Sequence, residues 1–190
     1  MIAVLLGAPG VGKGTQAKLA AARNGWTHLS TGDLLRDEVA RGTELGCQAD
    51  AVMKRGDLVS DEIMVGMVAG RLHALPDGQV LLLDGFPRSL PQATALEVRA
   101  PRGAVGLALY FTAPDRVLTE RLLARGRADD TREAVARRLA AFRETTEPLV
   151  AYYRGRGVLR EIPSDRAIEE IQKDLVRCLR EVRKDPSAVS

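Results

Sequence analysis

Short apolar runs alternate with longer stretches of helical spacing along most of this chain. Ile2–Leu6, Val80–Leu83, Leu107–Phe111 and Val158–Ile162 read as strands, with a weaker candidate at Thr27–Leu29. The first two are unbroken apolar runs, as expected of strands buried on both faces of a parallel sheet. Between them, Lys13–Arg23, Ser60–Ala74, Leu90–Val98 and Pro114–Arg125 carry helical periodicity. Ser60-Asp61-Glu62 supplies a cap and acidic first turn, and Pro114 suits a helix start. Asp165 is expected to cap a final helix over Arg166–Arg183, with Ile168, Ile171, Leu175 and Leu179 on one face and a frayed polar tail at Asp185–Ser190. Strand and helix in repeated alternation predict an α/β fold with a parallel sheet. The charged, helical stretch Thr31–Val59 exceeds what a plain crossover needs and reads as a small lobe inserted in one domain.

Length and composition narrow the class. At 190 residues, 45% hydrophobic and 28% charged, the chain has the makings of one compact domain. Its 28 basic residues include only 5 Lys, and the net charge is +3. A source-genome bias and a preference for the bidentate guanidinium fork explain the arginine excess equally well. Cys47 and Cys178 lie far apart without CxxC spacing, which argues against a disulfide framework and fits a reducing cytoplasm. The first residues carry no basic region before their apolar run, so they do not read as a signal peptide. No stretch approaches the roughly 20 apolar residues of a membrane span.

The chemistry begins at Gly7-Ala8-Pro9-Gly10-Val11-Gly12-Lys13-Gly14-Thr15. This is G-x-x-x-x-G-K between a strand and a helix, the setting in which backbone N–H groups cradle phosphates. Lys13 adds a mobile ammonium and the following helix its positive end. Gly14 stands where Ser or Thr usually holds Mg²⁺, so direct hydroxyl ligation is not expected, and Thr15 is left to contact phosphate or metal-bound water. Asp84 ends an apolar strand and is expected to face the Mg²⁺ of a bound nucleotide through water. It opens Asp84-Gly85-Phe86-Pro87-Arg88, a rigid turn that throws Arg88 toward the same crevice. Arg121, Arg125, Arg127 and Arg138 follow, as if two polyanions had to be held together.

These motifs, with His28-Leu29-Ser30-Thr31-Gly32-Asp33-Leu34-Leu35-Arg36, Arg121-Leu122-Leu123-Ala124-Arg125-Gly126 and Arg127-Ala128-Asp129-Asp130, resemble the adenylate kinases over nearly the whole chain. The resemblance implies reversible transfer between MgATP and AMP, giving two ADP, in purine nucleotide homeostasis. It also implies a three-layer P-loop fold with a five-stranded parallel sheet. The core would be 1–29, 60–120 and 139–190, with an AMP lobe at 30–59 and a lid region at 121–138. Gly10, Val11, Gly12, Lys13, Gly14 and Thr15 match the triphosphate grip, with Arg125 also on the ATP side. Arg121 matches the arginine that packs on the ATP adenine, and Arg166 falls where the chain passes that base. Thr31, Arg36, Asp57, Leu58, Val59, Gly85, Phe86, Pro87, Arg88 and Gln92 match AMP contacts. Arg127 and Arg138 match arginines that clamp phosphates, and Lys13, Arg88, Arg127 and Arg138 would carry catalysis. No spacer separates Gly126 from Arg127, so the resemblance implies a very short lid and no structural zinc. A cytoplasmic monomer is implied, acting on small molecules without nucleic acid or membrane.

Two alternatives stand beside this reading. Related UMP and CMP kinases usually carry a small apolar residue in place of Thr31 and Asn in place of Gln92. A nucleotide-dependent switch that contacts RNA would also use a P-loop, but no aromatic platform is interleaved with the arginines here. Neither His28 nor His73 falls at a position of these motifs that carries chemistry, and His28 reads as a packed or surface residue.

Overall fold

The computed structural model describes residues 1–55, 59–72, 78–101, 104–127 and 130–184. Five strands, β1 (Ile2–Leu6), β2 (Thr27–Ser30), β3 (Leu81–Asp84), β4 (Val105–Thr112) and β5 (Leu159–Pro163), form one sheet in the order β2-β3-β1-β4-β5. Every pairing is parallel. The apolar runs explain this arrangement: all five residues of β1 are buried, as are Leu81, Leu82 and Leu83. Such strands need cover on both faces, and parallel crossovers supply it as helices.

Side-chain alternation divides the interior into two cores. Ala3, Leu5, Leu82, Leu107, Leu109 and Phe111 point to one, where Ala17 and Ala20 of α1 (Lys13–Asn24) and Leu175 and Leu179 of α9 (Ile168–Lys184) meet them. Ile2, Val4, Leu6, Leu81, Leu83 and Ala108 point to the other. There they pack on Val65 and Val68 of α4 (Asp61–Leu72), Ala93 and Leu96 of α5 (Leu90–Arg99), and Tyr153 of α8 (Pro148–Gly155). The neighbours β1 and β3 therefore lead into helices on opposite faces, α1 and α5. That divergence opens a crevice at their carboxyl ends, where an open α/β sheet binds its ligands.

The inserted stretch forms α2 (Thr31–Ala40) and α3 (Glu44–Arg55), which pack on each other and send Leu35 and Ala49 into the second core. Beyond the sheet lie α6 (Asp115–Arg125) and α7 (Arg132–Ala141), followed by a π-helical turn at Phe142–Thr146.

Several boundaries differ from the sequence expectation. β4 runs Val105–Thr112, longer at both ends than the expected Leu107–Phe111, whereas Asp84 closes β3 as expected, its backbone pairing with Leu5 and Ser30. The last helix begins at Ile168, so Asp165 does not cap it. The Ala167 carbonyl accepts the first helical bonds, from Glu170 N at 3.1 Å and Ile171 N at 3.2 Å, while Glu170 Oε2 accepts from Ala167 N at 3.1 Å. The Glu170 carboxylate thus takes the capping task. The expected frayed tail lies outside the described residues.

Candidate active site

The first wall of the crevice is the loop between β1 and α1. Gly7, Gly10 and Gly12 have φ of 140°, 85° and 104°, which disfavours any residue with a Cβ. Space forbids one as well: a Cβ on Gly7 would lie 2.6 Å from the Phe111 carbonyl oxygen, and one on Gly10 2.7 Å from that of Leu118. The loop is therefore clamped between β4 and α6. No side chain caps α1, which leaves its first-turn N–H groups for an anion. Lys13 Nζ curls over the loop and donates to the Gly7 carbonyl at 2.6 Å and the Ala8 carbonyl at 3.1 Å. Burial pulls the Lys13 ammonium down to about 8, with Arg88 and Arg125 adding to the fall and Asp84 opposing it.

Asp84 stands opposite. Burial alone would raise its carboxyl, but the His28 imidazole, the Lys13 ammonium and the Arg88 guanidinium outweigh that and hold it below the usual carboxylate range. His28 Nε2 is 3.7 Å from Asp84 Oδ2, a near neighbour beyond hydrogen-bond length. A Cβ on Gly14 would come 3.3 Å from Asp84 Oδ2. The carboxylate thus borders the space that a serine or threonine after the lysine would fill, and would have to give by a few tenths of an ångström to admit one.

Arginines crowd the far side. Asp130, whose side chain is 1% exposed, accepts from Arg125 Nε at 2.8 Å, Arg125 Nη2 at 2.7 Å, Arg138 Nη1 at 2.9 Å and the Arg127 backbone N–H at 3.3 Å. Its burial would raise the carboxyl, yet the bonds and charge of Arg125, with help from Arg127 N–H and Arg138, hold it low. One carboxylate thereby fixes two guanidinium forks side by side. Arg121 Nη1 donates to the Ser164 carbonyl at 2.9 Å. Arg166 lies on Asp174 Oδ2 at 2.6 Å and the Pro163 carbonyl at 3.1 Å.

The third wall comes from β2, α2, β3 and α5. Ser30 caps α2 by accepting from Asp33 N at 3.2 Å. Asp33 in turn pairs with Arg36, and with Lys18 at 3.3 Å. Thr31 is wholly buried, and its hydroxyl donates to the Asp84 carbonyl at 3.4 Å. Gly85, at φ 82°, leaves no room for a Cβ, which would lie 2.7 Å from Thr31 Oγ1. Arg88 is tied down at three points: its Nε donates to the Gly85 carbonyl at 2.7 Å, its N–H to Gln92 Oε1 at 2.7 Å, and its carbonyl accepts from Thr146 Oγ1 at 2.9 Å. Burial and the nearby charges of Arg138 and Arg36 lower the Arg88 pKa against the pull of Asp84. The guanidiniums of Arg36, Arg88 and Arg138 therefore converge.

These walls enclose one cavity of about 660 Å³. It is lined by Gly10 to Gln16 and Asp84, by Arg121, Arg125, Arg127, Arg138 and Arg166, and by Arg36, Val59, Gly85, Pro87, Arg88 and Gln92. Two of the expected contacts sit behind its surface: Thr31 is buried beneath Asp84, and the Phe86 side chain belongs to the second core. Asp57 and Leu58 lie outside the described residues. Among the described residues no group of three or more His, Cys, Asp or Glu side chains is gathered for a metal ion, and no helix is long and apolar enough to cross a membrane.

Four residues of the site carried no role in the sequence reading. His28 is placed by β2 pairing directly with β3, where Ser30 partners Asp84, a proximity that only the sheet reveals. Asp61 reads only as an acidic residue in the first turn of a helix, and Thr146 lies in a segment without clear periodicity. Asp130 closes the Arg127-Ala128-Asp129-Asp130 motif, and a carboxylate so near three arginines was the available signal.

Comparison with known proteins agrees with this geometry. The adenylate kinase family model matches residues 5–158. An adenylate kinase of Synechococcus sp. (strain CC9902) is 47% identical over 181 residues, covering 93% of this chain and 97% of that protein. That of Parasynechococcus marenigrum (strain WH8102) is 48% identical with the same coverage. That of Prochlorococcus marinus (strain MIT 9301) is 42% identical over 177 residues, covering 90% of this chain and 94% of that protein. With a glycine loop, a strand-end carboxylate and converging arginines around one cavity, and with family similarity running through all of them, this chain belongs to the adenylate kinase family of phosphotransferases.

Proposed function

We propose that the chain transfers the γ-phosphoryl group of MgATP directly to AMP, giving two ADP, and runs the reaction in both directions. The observation that carries this reading is that one cavity is lined both by the glycine loop with Lys13 and by Arg36, Arg88 and Gln92. ATP lies along Gly10, Val11, Gly12, Lys13, Gly14 and Thr15, with Arg125 on its phosphates, Arg121 over the base and Arg166 beside it. AMP lies against Arg36, Val59, Gly85, Pro87, Arg88 and Gln92, with Thr31 and Phe86 supporting that wall from behind, and Asp57 and Leu58 are assigned to the same site by likeness to the family alone. Lys13, Arg88, Arg127 and Arg138 neutralise the phosphoryl group in flight, Arg127 and Arg138 reaching both nucleotides.

A hard dication carried in on ATP fits this site. Asp84 is a deprotonated oxygen donor beside the loop, and Mg²⁺ characteristically takes one or two carboxylates along with phosphates and retained waters. Asp84 would hold it through water, and the ion would supply charge neutralisation on the phosphate oxygens. The division into a core (1–29, 60–120, 139–190), an AMP lobe (30–59) and a short lid region (121–138) follows from the same reading. Closure of lobe and lid excludes water, which would otherwise accept the phosphoryl group. The protein works as a monomer in the cytoplasm on small nucleotides. The arginines line a cavity and hold carboxylates, which supports this over a surface that binds RNA.

The test is ADP formation from ATP with AMP, dAMP, UMP, CMP and GMP in turn. Fast turnover with AMP supports the reading, while preference for UMP or CMP would replace the acceptor. A pH series adds a second check. Lys13 has its ammonium lowered to about 8, and bound phosphates require that ammonium. ATP affinity measured by calorimetry should therefore hold below pH 8 and weaken as pH rises past it, by up to about tenfold per pH unit. Flat affinity to pH 9.5, together with unchanged affinity in Lys13→Met, would remove Lys13 from the phosphate site.

A further inference from the structure

Gln92 is 2% exposed, lines the cavity and ends in an amide. Both ends of that amide are occupied. Oε1 accepts from the Arg88 backbone N–H at 2.7 Å, and Nε2 donates to Asp61 Oδ1 at 2.6 Å. The partners cannot exchange, because a backbone N–H only donates and a carboxylate only accepts. Turning the amide over would set donor against donor and oxygen against a charged oxygen. Asp61 is itself fixed. It sits in the first turn of α4, where a helix favours a carboxylate, and its Oδ2 accepts from Ser89 Oγ at 3.1 Å. Ser89 Oγ also accepts from Gln92 N at 3.3 Å, closing the ring of bonds.

We infer that Asp61 is the positioning residue that sets base specificity at the acceptor site, by locking the Gln92 amide in the one orientation that suits a 6-amino purine. An amide has two N–H groups and two oxygen lone pairs. With one of each already used, Gln92 offers one acceptor beside one donor in fixed order. Adenine presents a donor at its 6-amino group and an acceptor at N1, which fit that order. Hypoxanthine and guanine present the reverse, an acceptor at O6 and a donor at N1. A glutamine free to turn would serve both edges, so the discrimination resides in what holds Gln92 rather than in Gln92 itself. A carboxylate holds more firmly than a neutral partner because a charged hydrogen bond is about twice as strong. This inference rests on reading the Arg88–Gln92 side of the cavity as the AMP site.

The experiment measures kcat/KM for AMP and for IMP at saturating ATP, with thermal melting, in the wild type and in Asp61→Ala, Asp61→Ser and Asp61→Asn. In Asp61→Ala the AMP-over-IMP ratio is expected to fall about tenfold or more, through KM for the monophosphates and with KM for ATP unchanged. Asp61→Ser keeps a residue suited to a helix start, but its hydroxyl both donates and accepts, so it should relax the ratio in the same way and decides the matter if the alanine variant does not fold. Asp61→Asn retains an oxygen for Nε2 and should preserve most of the discrimination. A wild-type ratio in the alanine or serine variant overturns the inference, even if melting temperature drops, because a merely structural Asp61 lowers stability without changing base preference. A wild type that makes no ADP from ATP and AMP overturns the acceptor-site reading itself.

Discussion

Replacing Lys13 with Met is expected to lower kcat by about 10³-fold or more while leaving the fold intact. Lys13 Nζ is held over the glycine loop by two carbonyl oxygens, the position from which an ammonium meets the phosphates of a nucleotide lying on that loop. The methionine stem fills the same space without the charge. Stability should move the other way, or not at all. A lysine whose pKa is depressed in the folded state opposes folding while it is charged, and that penalty is full below about pH 8 and fades as pH rises toward the ordinary value of 10.5. Removing the ammonium at pH 7 takes the penalty away. Steady-state kinetics and thermal melting together check this. Near-normal turnover would remove Lys13 from the chemistry, and lost turnover with a collapsed melting temperature would make its role structural.

Arg88→Ala comes second in size, with an expected loss of about 10²- to 10³-fold in kcat and a smaller change in KM for ATP. Arg88 lies where the charges of Asp84, Arg36 and Arg138 meet, and its backbone is pinned by Gln92 and Thr146. A flexible side chain fixed in this way loses little further freedom when phosphate arrives, which is how a preorganised cation differs from a mobile one. Arg88→Lys should recover only a minor part of the loss. An ammonium restores the charge but not the planar fork or the bond from Nε to the Gly85 carbonyl. Recovery of most of the turnover by Lys would show that charge alone is needed there.

Much of the architecture was legible because the signals were local. The unbroken apolar runs of β1 and β3 announced doubly covered strands, and the glycines at 7, 10 and 12 announced a loop with backbone facing inward. Other features were not local. α7 and α8 were not assigned from sequence. In α7 the apolar face is formed by Ala134, Val135 and Leu139 among arginines, so its period is faint, and the π turn at Phe142–Thr146 then shifts the phase before α8 begins. The same turn delivers Thr146 to the Arg88 carbonyl, a bond across 58 residues that no spacing encodes. Asp61 is a similar case. Its place at a helix start is readable from Ser60-Asp61-Glu62, whereas its bond to Gln92 depends on α4 and α5 packing side by side. Motifs that hold a shape through their own backbone can be read in one dimension. Side chains recruited from distant elements to hold those motifs still cannot.

If donor and acceptor share one cavity, the phosphoryl group passes straight between them. Phosphorus stereochemistry tests it most directly, using ATP made chiral at the γ-position with sulfur and oxygen isotopes, AMP as acceptor, and analysis of the thiophosphoryl product. A single in-line displacement predicts inversion of configuration. Retention would mean two displacements through a covalent enzyme intermediate, and would contradict a mechanism built only on positioning and charge.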